Sequence, residues 1–145
     1  MYKHILIPTD GSELSERAVR EGIDLALMMK ARVTLLTASA PFRGFASEPT
    51  VLAETPRQYE EDVERRANLR LRAGEEYADA RGVVAMTRHV YAEHPFEAIV
   101  EAAEGSDCDL VCMASHGRTG LAGLLIGSQT AKVLSHSKIP VLVCR

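Results

Sequence analysis

The chain has 145 residues, and 17 Lys and Arg against 20 Asp and Glu leave a formal net charge of −3. Hydrophobic residues make up 46% and charged residues 26%, a globular composition that excludes a disordered or fibrous chain and suits one domain over residues 1–145. The mildly acidic balance lacks the basic field that nucleic acid or an anionic membrane surface requires, and no apolar run approaches the ~20 residues that cross a bilayer.

The apolar stretch Ile5 to Ile7 stops at Pro8, too short for the core of a signal peptide, so the expected compartment is the cytoplasm. Cys108, Cys112 and Cys144 sit in apolar settings and read as reduced core thiols. The CxxxC spacing has no second Cys or His pair beside it, which argues against zinc.

His4 to Thr9 reads as a short strand, continuously apolar as in a sheet covered on both faces. Ser12 is placed to cap a helix, with Glu13 and Glu16 in its first turn. Leu14, Ala18, Gly22, Leu25, Ala26 and Met29 would share that helix's inner face. Val33 to Ala38 is the second strand. Residues 40 to 56 lose all period and carry Pro41, Gly44, Pro49 and Pro56, so a loop is expected there, with 41–56 a candidate lid. A charged helix follows from Arg57 to Arg81, with Tyr59, Val63, Ala67, Leu71, Gly74 and Ala78 inward and Gly82 as its cap.

Val83 to Tyr91 is the third strand. Pro95 opens a third helix with Phe96, Ile99, Val100 and Ala103 inward and Gly105 at its end. Asp109 to Ala114 is the fourth strand, Ser115 to Ile126 a glycine-rich loop, Ser128 to Ser137 a last helix, and Ile139 to Cys144 the fifth strand. Strands separated by helices are joined by right-handed crossovers, which predicts an α/β fold with a parallel sheet and helices on both faces. Ligands bind such sheets beyond the strand carboxyl ends, where the winding reverses. That rule singles out Thr9-Asp10-Gly11, Thr37-Ala38-Ser39 and the segment from Ala114 to Thr130.

Gly117, Gly120 and Gly123 precede Gly127-Ser128 at a helix start. Glycines admit an anion close to backbone N–H groups, and a helix N-terminus adds unsatisfied donors and partial positive charge. Ser128 and Thr130 would add hydroxyl donors to this phosphate cradle. The alternative is a loop whose Ser128 caps its own helix. Asp10 either accepts from a ribose hydroxyl or holds Mg²⁺ through water, or else bonds the N–H groups of its own turn. His116 and Arg118 can meet an anion in the loop or stand solvated. GxxxxGK[ST], GxGxxG and GxSxG are all absent, which weighs against P-loop enzymes, the usual dinucleotide binders and nucleophile-elbow hydrolases.

The segments Lys3 to Ser12, Met113 to Leu121, Leu125 to Ser128 and Ile139 to Val143 together resemble the universal stress protein family, over nearly the whole chain. The resemblance implies a single-domain three-layer sandwich with a five-stranded parallel sheet of order 3-2-1-4-5, usually as a homodimer. For one branch it implies ATP binding through G-x2-G-x9-G-[ST]. Gly117, Gly127 and Ser128 match that pattern, and Ala114 stands in place of its first glycine. A positive φ at position 114 would cost alanine about 1–2 kcal/mol, and with a negative φ the methyl must still fit beside the phosphates.

By the same resemblance Asp10 and the backbone near Ala38 would face ribose and adenine, and Gly117, Gly127, Ser128 and Gln129 the phosphates. The candidate nucleotide-binding set is Pro8, Thr9, Asp10, Ala38, Met113, Ala114, His116, Gly117, Arg118, Gly127, Ser128, Gln129 and Thr130. The last strand would lie at a sheet edge, where Val141, Leu142 and Val143 can pair with a second copy. The leading expectation is a cytoplasmic stress-response sensor or regulator that binds ATP or a related adenine nucleotide with Mg²⁺. A nucleotide-free homodimeric interaction module and a slow ATPase are the alternatives.

Overall fold

The computed structural model describes residues 1–43, 55–117 and 126–145. The chain runs β1 (His4–Pro8), α1 (Glu13–Met29), β2 (Arg32–Ser39), α2 (Pro56–Arg81), β3 (Ala85–Tyr91), α3 (Pro95–Gly105), β4 (Leu110–Ala114), α4 (Ser128–His136) and β5 (Val141–Cys144). The five strands form one sheet in the order β3-β2-β1-β4-β5, every pair parallel. Most of the expected lid (residues 44–54) and the loop from Arg118 to Leu125 lie outside the described residues.

Alternation along the strands divides the core in two. Ile5, Ile7, Val33, Leu35, Leu110 and Cys112 pack towards α1 and α2. Leu6, Leu36, Val111 and Met113 pack towards α3 and α4 with Ile99 and Val133. The buried face of α1 is Ser15, Ala18, Val19, Gly22, Ile23 and Ala26, so the helix is rotated from the expected stripe. Leu14, Leu25 and Met29 are partly buried at its margins. Val19 and Ile23 take the inward places of Leu25 and Met29, while Gly22 lets the helix backbone approach the sheet. A Cβ at Gly22 would stand 2.6 Å from Ile7 Cδ1 and 3.2 Å from Cys112 Sγ.

Helix α2 buries Val63, Ala67, Leu71, Gly74 and Ala78 as expected. Tyr59 is only half-buried; its ring lies 5.3 Å from that of Phe42 and its hydroxyl donates to the Ala40 carbonyl at 2.9 Å. The helix begins one residue before the expected start. Thr55 caps it reciprocally with Gln58, a T-x-x-Q signature that accounts for two orphan donors. Gly82 adopts a left-handed φ of 71° at the other end. β3 starts at Ala85 rather than Val83, and as an edge strand it leaves Met86 exposed.

Cys108, Cys112 and Cys144 are free and buried. Burial pushes the Cys108 thiol up to about 11 and that of Cys112 higher still. At the other end of the sheet Asp109 accepts from the amides of Lys3 and His4. Burial opposes its charge, but these bonds win and hold the carboxyl below its usual value. His4 is buried with Nε2 2.8 Å from Thr34 Oγ1.

An alanine at position 22 gains helix propensity worth up to about 1 kcal/mol. Overpacking a filled core costs about 1–3 kcal/mol, and Ile7 is fully buried and cannot swing aside. Gly22→Ala is therefore expected to lower the melting temperature by a few degrees, and a melting temperature at or above the parent's would refute this packing. The second prediction concerns pH. Burial, then the charge of Arg32, holds the His4 imidazole below its ordinary value of 6.5, and burial lowers His89 likewise. As pH falls below about 6.5 the unfolded chain takes up these protons before the folded one. Their contribution to stability is thus complete above that pH and is lost as pH drops towards the folded values. Urea unfolding should show lower stability at pH 5 than at pH 7.5, with a shallower slope in His4→Gln; an unaltered slope would dissociate His4 from the effect.

Candidate functional site

The connection after β1 runs to β2 on one side and the connection after β4 runs to β5 on the other. The carboxyl ends of β1 and β4 therefore open into a crevice. Thr9 N still donates to Leu36 O at 2.8 Å, and the chain then turns at Gly11, whose φ of 77° suits glycine. The Thr9 side chain is fixed within the turn: its Oγ1 lies 3.1 Å from Ser15 Oγ and accepts from Gly11 N at 3.2 Å. Thr37 Oγ1 donates to Thr9 O at 2.9 Å. Asp10 Oδ1 accepts from Ser12 N at 3.0 Å, the bond expected of an Asp serving its own turn. Its Oδ2 faces Gly117 across the crevice, where a Cβ would come within 2.6 Å.

From β4 the chain passes through Ser115, whose amide donates to Cys144 O at 2.7 Å, to His116 and Gly117. His116 Nδ1 lies 3.0 Å from Ser115 Oγ. Gly127 returns beside this turn, its amide bonded to Ser115 O at 2.7 Å. A Cβ there would stand 3.2 Å from Ser115 O and 3.3 Å from His116 Cα. Gly127 is the N-cap of α4, so Ser128 does not cap its own helix and instead begins it. The first bond at this helix start runs from Ala131 N to Gly127 O. The amides of Ser128, Gln129 and Thr130 are thus the orphan donors of the N-terminus.

These elements enclose a cleft of about 540 Å³, a volume suited to a small-molecule ligand. Every residue of the candidate set except Arg118 lines it; Arg118 falls outside the described residues. β1 contributes Pro8, Thr9 and Asp10, and β2 contributes Ala38. Met113, Ala114, His116 and Gly117 come from β4 and its turn, and Gly127, Ser128, Gln129 and Thr130 from the α4 start. Ser15, Leu36, Pro95 and Ile99 also line the cleft and escaped the sequence reading. Pro95 and Ile99 belong to the start of α3, and no local pattern ties that helix to the glycine loop.

Thr130 was expected to offer its hydroxyl to a ligand, but the side chain is buried and donates to Ala114 O at 3.0 Å. Gln129 Oε1 accepts from Phe96 N at 3.0 Å, so its NH₂ group alone remains to donate into the cleft. Ala114 is not among the described residues with positive φ. Its side chain shares the face of Leu110 and Cys112 and packs in the α1-side core, so neither form of the anticipated penalty applies.

The described lining contains no Lys or Arg. The donors it offers are the backbone amides at the helix terminus, and Asp10 adds one carboxylate. The apolar part, made by Pro8, Leu36, Ile99 and Met113, adjoins Ala38. Even-numbered residues of β2 direct their N–H and C=O towards β1, as the Arg32 N to Lys3 O and Thr9 N to Leu36 O bonds show. The β1 ladder ends at Pro8 opposite Leu36. The donor and acceptor of Ala38 therefore face the crevice.

Residues 1–145 match the family model described as the universal stress protein family. The universal stress protein MJ0531 of Methanocaldococcus jannaschii is 33% identical over 149 residues, an alignment covering all of this chain and 83% of that one. Among solved structures, MJ0577 of the same organism superposes with a TM-score of 0.83 at 30% identity, covering 99% of this chain and 96% of that one. A universal stress protein solved in complex with cAMP superposes with a TM-score of 0.73 at 28% identity, covering 99% and 97%. The parallel sheet in its 3-2-1-4-5 order, the glycine-lined turn and the full-length match agree, and the chain belongs to the universal stress protein family.

Proposed function

We propose that the cleft binds an adenine nucleotide, ATP or a close relative, and that the protein acts as a cytoplasmic stress-response sensor or regulator through that binding. The observation that carries this reading is the convergence of the Ser128, Gln129 and Thr130 amides with the Gly117 turn and Asp10 around one cleft. Each part suits one portion of the ligand. The N-terminus of α4 receives phosphate oxygens. Asp10 is placed to accept from a ribose hydroxyl. The apolar slot takes the base, and the N–H and C=O of Ala38 complement the acceptor and donor on the adenine edge. The similarity to a structure holding cAMP supports the same ligand class.

Among the described residues no group of three or more His, Cys, Asp or Glu side chains could hold a metal ion. Mg²⁺ would therefore enter with the nucleotide, held by phosphate oxygens and by Asp10 through water, which is its usual manner of binding. Bound there, it would offset phosphate charge that the described lining does not neutralise.

Calorimetry with Mg-ATP, AMP and cAMP tests the reading. Saturable heat with at least one of them is expected, and no heat and no thermal shift at millimolar nucleotide would remove it. Gly127→Asp places a side chain where only 3.2 Å separates a Cβ from Ser115 O and sets a carboxylate among the anion donors. Its affinity should fall by tenfold or more, about 1.4 kcal/mol, while circular dichroism stays unchanged.

We further propose a homodimer through β5. The bonds Val111 N to Pro140 O and Ser115 N to Cys144 O turn the even-numbered residues of this strand towards β4. Val141 and Val143 therefore present their N–H and C=O at the open edge, beside the exposed Leu142. Val143→Pro removes one outward donor and no inner bond. Light scattering should find a dimer for the parent chain and a monomer for the variant; a dimer in both would place the interface elsewhere.

A further inference from the structure

A second concavity, about 180 Å³, lies on the other side of the sheet and is lined by Ser39, Ala40, Tyr59, Val63, Arg66 and Arg70. Its charge differs from that of the main cleft. Arg66 and Arg70 stand one helical turn apart on α2, so their side chains project to one side. Most arginines of this helix are matched: Arg57 pairs with Glu61, Arg65 with Asp62, Arg72 with Glu76 and Arg81 with Asp24. Arg66 makes no ion pair with a described residue. Arg70 is held in place, its side chain packed so closely on Gly11 that a Cβ there would lie 2.9 Å from Arg70 Cγ. Glu60 and Glu64, the acidic groups felt at Tyr91 and His89, do not line the concavity.

Hydroxyls complete the lining. Ser39 Oγ lies 2.9 Å from His89 Nε2, and when that nitrogen carries the proton the Ser39 hydroxyl hydrogen is available to an acceptor. Tyr59 gives its proton to Ala40 O at 2.9 Å, which fixes the ring as a wall. A guanidinium with no ion-pair partner among the described residues, a second guanidinium and a hydroxyl around a small polar hollow match the needs of one oxyanion group.

We propose that this hollow binds a small oxyanion, a phosphate or a carboxylate, with Arg66 as its principal ligand. The site is separate from the nucleotide cleft but shares a strand with it: Ala38 lines the cleft on one face of β2, and Ser39 lines the hollow on the other. An anion held at Ser39 thus bears on the backbone that forms the main cleft's floor.

The test is titration of the full chain with inorganic phosphate, and separately with acetate, followed by amide NMR shifts. Saturable shifts are expected at residues 39–40 and 59–70, with an affinity on the order of millimolar. Arg66→Gln should weaken them at least tenfold while leaving the AMP titration unchanged. Saturation with phosphate alone, or with both ions, identifies which oxyanion is taken. Shifts confined to residues 113–117 and 127–130 would place the anion in the main cleft and overturn the proposal. So would shifts indifferent to Arg66→Gln, or shifts that rise linearly with salt and never saturate. Because the readout uses different residues and ions from the nucleotide test, either can fail without the other.

Discussion

β1 and β4 are neighbours in the sheet, and the chain leaves β1 towards one edge, through β2, and β4 towards the other, through β5. The two connections diverge and leave a crevice between the carboxyl ends of β1 and β4. The consequences are local and traceable. Thr9 N finds Leu36 O, but the β1 ladder ends there. Ala38 continues β2 past that point with its polar edge facing the gap. α4 can begin only where the β4 turn lets it return, and Gly127 makes that return by bonding Ser115 O.

Close packing decides how narrow the gap is. Gly22 brings α1 onto Ile7 and Cys112, and Gly74 brings α2 near Leu35 and Val19, where a Cβ would come within 2.8 and 3.1 Å. These approaches hold the strands from behind. Gly117 does the same work in front, since any Cβ there would meet Asp10 Oδ2. The residues that shape the site are therefore defined as much by missing side-chain atoms as by functional groups.

Much of this was legible before the structure. Strand and helix alternation dictated parallel pairing, and the strand-end rule drew attention to the segments that now line the cleft. The order of the strands came from the family resemblance rather than from any periodicity. What stayed hidden depends on long-range contact. Nothing near Gln129 reveals that its carbonyl oxygen serves Phe96 N, 33 residues away, or that Pro95 and Ile99 share its cleft. Thr130 looks like a donor until Ala114 O, 16 residues earlier, proves to hold its proton. Ala114 itself looked like an obstacle because a motif records residue types and not directions. Strand alternation points its methyl away from the cleft, into the core beside α1. The capping box at Thr55 was a local signal and could have been found by its T-x-x-Q spacing.

The polar groups at the strand ends divide into two sets, and the division explains what the cleft can recognise. Thr9, Ser15, Thr37 and Thr130 spend their hydroxyls on one another or on backbone carbonyls. They carry the structure of the turns, and a ligand that competed for them would have to unmake those turns. Left over, among the described residues, are the first amides of α4, which helical geometry leaves without an intrahelical partner, and the Ala38 edge, which the end of β1 exposes. All of these belong to the backbone, so their positions follow from the fold itself. Side-chain replacements elsewhere on the surface can vary without disturbing them. Under the proposed reading such a cleft suits a ligand that is planar and apolar at one end and anionic at the other, and it is sensitive to substitution at Asp10, whose carboxylate lies between, and at the glycines that keep the two ends open.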